Sequence, residues 1–122
     1  MTKVLVATEK PFAKNAVDAI KKVFDDAGFE TVLLENYTDP ADLIKAVADV
    51  DGIIIRSDIV SKEVIDAAKN LKIVVRAGAG YDNIDIKAAA EKNVVAMNTP
   101  GQNANAVAEL AFALMLAQIR NN

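Results

Sequence analysis

Apolar positions along the chain fall into two patterns that alternate from end to end. Short runs rich in β-branched residues occur at Val4–Ala7, Thr31–Leu34, Gly52–Ile55, Ile73–Val75 and Val94–Met97. Each run is nearly continuous rather than polar at every second place, as parallel strands covered on both faces require. Between the runs the apolar spacing becomes helical. Ala16, Ile20, Val23, Phe24 and Ala27 share one helix face, and Gly28 follows where a left-handed C-cap belongs.

The other helices announce themselves by their first residues. Asp39-Pro40 reads as an N-cap followed by proline at the first helical position, opening Ala41–Ala48. Ser61 caps Lys62–Lys69, with Val64, Ile65 and Ala68 facing inward, and Asp85 caps Ile86–Lys92. A last helix runs from near Asn103 to about Arg120. Five β-then-α units with right-handed crossovers predict a single α/β domain over residues 1–122. The expected architecture is a flavodoxin-like, doubly wound five-stranded parallel sheet in the order 2-1-3-4-5.

Composition narrows what such a domain can do. The 122 residues are 52% hydrophobic and 25% charged, the balance of an ordinary globular domain. Aromatics are only 5%, so aliphatic side chains must fill the interior. A net charge of −3 gives no electrostatic footprint for nucleic acid. With no cysteine and no histidine, thiolate chemistry, Cys or His metal ligation and an imidazole base are all excluded. No uninterrupted apolar stretch reaches membrane-spanning length, and Val4–Ala7 is too short to be the core of a signal peptide. The expected location is cytoplasmic.

In a doubly wound sheet, ligands bind outside the carboxyl ends of the strands. The residues just after each strand therefore carry the information. They are Thr8-Glu9-Lys10-Pro11, then Arg56-Ser57-Asp58, then Arg76 through Asp82, and finally Asn98 through Asn103. Of the three arginines, Arg56 and Arg76 fall at this one edge. A guanidinium fork suits carboxylate and phosphate. Gly78 and Gly80, flanking Ala79, allow backbone N–H groups to approach an anion, and Asn103 stands where the last helix begins. Together these describe a small-anion site. Structural roles compete with it: an arginine in a salt bridge, a Gly-x-Gly in a tight turn, an asparagine that only caps its helix. Gly78-Ala79-Gly80 is not a dinucleotide fingerprint, because it continues Tyr81-Asp82-Asn83-Ile84 without a third glycine opening a helix.

The motifs Arg56-Ser57, Val75 through Asp85, Asn98-Thr99-Pro100 and Ala108-Glu109 resemble the substrate domain of the D-2-hydroxyacid dehydrogenases. They are most similar to the members that oxidise 3-phosphoglycerate in serine biosynthesis. The resemblance covers the whole chain in order. It implies that Arg56 and Ser57 contact substrate and that Arg76 adds positive charge for a phosphorylated one. It further implies that the amides of Gly78, Ala79 and Gly80 hold the substrate carboxylate and that Asn103 lies beside it. One departure is Gly101-Gln102, where many members carry Asn-Gly. In such enzymes the NAD site, the catalytic arginine and glutamate and the histidine acid/base belong to a Rossmann domain that follows. No counterpart of these is found here, so no catalytic residue, no cofactor site and no metal site is assigned. The chain is expected to be a truncated part of a longer enzyme, inactive alone. The alternative is an excised or engineered module that folds and self-associates without turnover.

The last helix bears on partners. In Ala104–Ile119 only Asn105, Glu109 and Gln118 interrupt an apolar surface that wraps most of the way around. A helix apolar on all sides expects cover on several. The expectation is a homodimer through residues 104–119, with exchange of the helix between protomers as one route. The competing expectation is a monomer whose sheet covers the helix. The same strand ends exclude two other uses of this fold. A phosphoacceptor domain needs acidic residues after strand one, an aspartate ending strand three and a lysine after strand five, where Thr8-Glu9, Arg56-Ser57 and Asn98-Thr99 stand. A flavodoxin needs a hydroxyl- and glycine-rich phosphate loop where Glu9-Lys10-Pro11-Phe12 stands.

Overall fold

The computed structural model describes residues 2–8, 14–35, 37, 39–56, 58–77, 83–99 and 104–120. Ten elements alternate in chain order: β1 Lys3–Thr8, α1 Lys14–Asp26, β2 Glu30–Glu35, α2 Pro40–Ala46, β3 Gly52–Ile55, α3 Lys62–Ala67, β4 Ile73–Ala77, α4 Ile86–Glu91, β5 Val95–Thr99 and α5 Ala104–Arg120. The five strands form one parallel sheet in the order β2-β1-β3-β4-β5, as the sequence pattern predicts.

The continuous apolar runs serve two cores at once, because alternate residues point to opposite faces. Leu5, Ala7, Ile53, Ile55 and Val74 pack beneath Leu43 and Val47, Val64 and Ile65, and Ala88 and Ala89, so α2, α3 and α4 cover that face. Val4, Val6, Ile54, Ile73 and Val75 pack beneath Ile20 and Phe24 and beneath Val107, Ala108, Ala111 and Met115, so α1 and α5 cover the other. Gly52 lets α5 come close to β3, since a Cβ there would lie 2.7 Å from the Met115 sulfur.

The caps explain where the helices stop and start. Asp39, Ser61 and Asp85 each accept a hydrogen bond from an N–H of the first helical turn, at 2.9, 3.4 and 2.9 Å. Gly28 ends α1 with φ +80°, while Phe29 N–H reaches back to the Phe24 carbonyl at 2.9 Å and the two rings stack. Asn93 ends α4 in the same way with φ 59°, a cap that its sequence context had not suggested. The Val94 N–H is thereby bonded to the Ala89 carbonyl at 2.8 Å, so β5 begins at Val95 rather than at Val94. Likewise α2 and α3 close at Val47 and Ala68, short of the expected Ala48 and Lys69, because those residues already serve as C-caps.

Helix α5 lies on the sheet and against α1. Val107, Ala108, Ala111 and Met115 are buried and Leu110, Phe112, Leu114 and Leu116 half-buried. Its exposed positions among the described residues are Ala106, Glu109, Ala113 and Ala117. Most of its large apolar side chains thus find cover within the chain, and the solvent side carries small residues. Among the described residues the exposed large apolar side chains lie elsewhere, at Leu33, Ile59 and Ile86.

Candidate anion site at the carboxyl edge

Parallel register brings the informative strand ends into one row. Ala7 stands opposite Ile55, Ile55 opposite Arg76, and Arg76 opposite Asn98. Arg56 follows β3 directly and is half-buried, as is Arg76 within β4. The Arg76 side chain reaches the Arg56 main chain: its Nε–H donates to the Arg56 carbonyl at 3.1 Å. Of the residues expected at the site, the structure therefore brings Arg56 and Arg76 together. Ser57, Gly78, Ala79, Gly80 and Asn103 lie outside the described residues.

Around Arg56 is a polar group to which the sequence had assigned no role. Asn83 Nδ2 donates to the Arg56 carbonyl at 3.1 Å and to the Asp58 carbonyl at 2.6 Å. The Tyr37 hydroxyl donates to the Asp58 carboxylate, whose other oxygen accepts from the Arg56 N–H at 3.4 Å. Tyr37 and Asp58 are 8% and 3% exposed, so this carboxylate is held by hydrogen bonds inside the domain rather than in water. Two backbone bonds complete the join: Val60 N–H to the Asn83 carbonyl at 2.8 Å and Asp85 N–H to the Val60 carbonyl at 2.9 Å. The segments after β3 and β4 are thereby stitched as an isolated parallel bridge, Val60 with Ile84.

Some of this was open to sequence reading. Asp58 stands in the Arg56-Ser57-Asp58 run and Asn83 in the motif after β4. Tyr37 gave no signal, since it lies 21 residues from its partner in a connection without periodicity. The Thr8 hydroxyl, ending β1, is fully buried and has no hydrogen-bond partner among the described residues. Alternation puts it with Val4 and Val6 on the face covered by α1 and α5.

Two other features compete for attention and carry less. A shallow groove is lined by Lys62, Asp85, Lys87, Ala88 and Glu91. Its two lysines face two carboxylates, so it is not selective for anions. Among the described residues no cluster of three or more His, Cys, Asp or Glu could hold a metal, and no helix is long and apolar enough to cross a membrane.

A five-stranded sheet in this order, with a basic carboxyl edge, defines a class of ligand-binding α/β domain, and comparison with known proteins gives its family. Residues 4–120 match the catalytic domain of the D-isomer specific 2-hydroxyacid dehydrogenases, and the chain belongs to that family. It is 45% identical over 119 residues to D-3-phosphoglycerate dehydrogenase of Archaeoglobus fulgidus, covering 97% of this chain and 21% of that protein. It is 44% identical over 93 residues to hydroxypyruvate reductase of Thermotoga maritima, covering 75% of this chain and 30% of that protein. Among solved structures it resembles NAD+-bound 3-phosphoglycerate dehydrogenase of Entamoeba histolytica, with a TM-score of 0.81 and 52% identity. That match covers 93% of this chain and 38% of the other. The chain thus spans between about a fifth and a third of the curated relatives named here.

NAD is bound by the Entamoeba relative. The sequence contains no Gly-x-Gly-x-x-Gly motif of the kind that cradles a dinucleotide. No step involving NAD is therefore derived from these residues.

Proposed function

We propose that this chain is the substrate-binding part of a D-3-phosphoglycerate dehydrogenase. Its ligand is a small anionic 2-hydroxyacid of the 3-phosphoglycerate kind. Arg56 and Arg76 supply the positive charge, Ser57 and Asn103 supply neutral hydrogen bonds, and the amides of Gly78, Ala79 and Gly80 receive the carboxylate. The observation that carries this reading is the placement of Arg56 and Arg76 at one carboxyl edge, joined by a side-chain-to-backbone bond, in a chain 52% identical to a 3-phosphoglycerate dehydrogenase. Planar guanidinium groups favour a ligand with two anionic ends.

Oxidation of such a substrate would require a hydride acceptor and a base for the hydroxyl proton. This chain has no histidine to take that proton. Its part is to bind and orient, with turnover requiring a nucleotide-binding domain from outside these 122 residues. The cytoplasm and serine biosynthesis are the setting that goes with this role. A homodimer through residues 104–119 belongs to the same proposal and rests on the apolar run of the sequence, against the cover that α1 and the sheet already give the helix. The second reading, a folded module without ligand, is favoured by the hydrogen bond that already occupies Arg76 Nε.

Titration with 3-phosphoglycerate, followed by amide NMR, separates the two. Shifts clustered at Arg56, Arg76, Gly78–Gly80 and Asn103 support the binding role, and their absence at millimolar ligand overturns it. Light scattering on the same sample tests association: a monomer at high micromolar concentration removes the dimer.

A further inference from the structure

We propose that Tyr37 and Asp58 are positioning residues for the arginine pair, an inference that rests on the anion-binding reading above. Arg56 and Asp58 follow β3 at the edge where a ligand would lie, and three parts of the fold grip them. Arg76 in β4 holds the Arg56 carbonyl. Asn83, after β4, holds the carbonyls of both Arg56 and Asp58. Tyr37, between β2 and α2, holds the Asp58 carboxylate. Tyr37 is the tie that comes from the far side, since β2 is an edge strand separated from β3 by β1.

The chemistry of the tie is costly for a merely structural contact. The Tyr37 ring packs in the same apolar cluster as Leu43 and Val60, so packing alone needs no hydroxyl. A buried carboxylate is unfavourable unless hydrogen-bonded, and an apolar pair of similar shape would hold the two connections together as well. What the carboxylate adds is direction. One oxygen receives the Tyr37 hydroxyl while the other faces the Arg56 N–H, at the long distance of 3.4 Å. The backbone of Arg56 is thus oriented from both its N–H and its carbonyl. Arg76 is bonded to that same carbonyl, so a shift of the Arg56 backbone also disturbs the Arg76 guanidinium. Tyr37 and Asp58 touch no ligand in this scheme and act through Arg56.

Tyr37→Phe removes the hydroxyl and keeps the ring. In the full chain, 3-phosphoglycerate affinity by NMR titration should fall about three- to tenfold, the range for loss of one hydrogen bond. The Arg56 amide and Arg76 Nε–H resonances should move and exchange faster without ligand. Asp58→Asn should act on the same tie, so that the double variant binds little worse than either single one. Ile65→Val, a core change away from the edge, controls for lost stability and should leave affinity unchanged. Unchanged arginine resonances in Tyr37→Phe overturn the inference, as does an equal affinity loss in a stability-matched Ile65→Val. If the unsubstituted chain fails to bind 3-phosphoglycerate, the anion-binding reading falls. The arginine resonances of Tyr37→Phe then decide alone whether the tie positions the pair.

Discussion

The two ends of the sheet use polar groups in opposite ways. At the amino end, Lys3 forms ion pairs with Asp49 at 2.7 Å and Glu30 at 3.9 Å, and its N–H donates to the Asp51 carboxylate at 2.9 Å. The Lys3 and Asp49 side chains there remain in contact with water. The hydrogen bond and charge of Asp49 hold the Lys3 ammonium above its ordinary value, and Lys3 holds Asp49 below its own. At the carboxyl end Tyr37 and Asp58 are buried, Arg76 and Asn83 are half-buried, and much of the bonding is to backbone carbonyls. Exposed pairs contribute little to stability, whereas buried groups cost much when a partner is lost. One end is solvated surface; the other invests in holding a particular shape.

The largest expected effect breaks the buried end. Asp58→Ala strands the Tyr37 hydroxyl in the interior and should destabilise by about 1–3 kcal/mol in chemical denaturation. Asp49→Ala, the matching change at the amino end, should leave the midpoint nearly unmoved. Equal losses would erase the distinction between the two ends.

A smaller effect of opposite sign is expected at Thr8. Its hydroxyl is buried without a partner among the described residues, so Thr8→Val should stabilise by about 1 kcal/mol or less. A loss of stability together with a loss of 3-phosphoglycerate affinity would instead show the hydroxyl serving the ligand.

The smallest effect is the pH response of the amino end. Asp49 is lowered from 3.8, so its contribution is present above that value and is lost as pH falls through the depressed one. Lys3 is raised from 10.5, so its contribution is full below that value and is lost as pH rises through the raised one. Thermal melts of the chain and of Lys3→Met should therefore differ slightly between these limits and converge outside them. A difference that persists in acid would mean that packing of the lysine stem, not the ion pair, is being measured.

The sequence reading came closest where chemistry is local. Five apolar runs and three side-chain caps were visible because burial on both faces and an N-cap each leave a mark within a few residues. Element ends were less legible. Val94 looks like strand by composition, yet its N–H closes the Schellman turn of α4. Helix α5 looks apolar on all sides, yet α1 and the sheet cover most of its large side chains, and the face left to water is mainly alanine.

The sequence alone determined the sheet order and the edge at which Arg56 and Arg76 stand, because parallel strands with right-handed crossovers admit few arrangements. Only the tertiary structure decided how that edge is held. Tyr37, Asp58, Asn83 and Arg76 are brought to one segment by contacts spanning 20 to 27 residues, apart from the local bond of Asp58 to Arg56. No periodicity encodes such a meeting. It arises when the strands pair and the connections above them are pressed together, where a buried polar group left without a protein partner is costly because water no longer provides one.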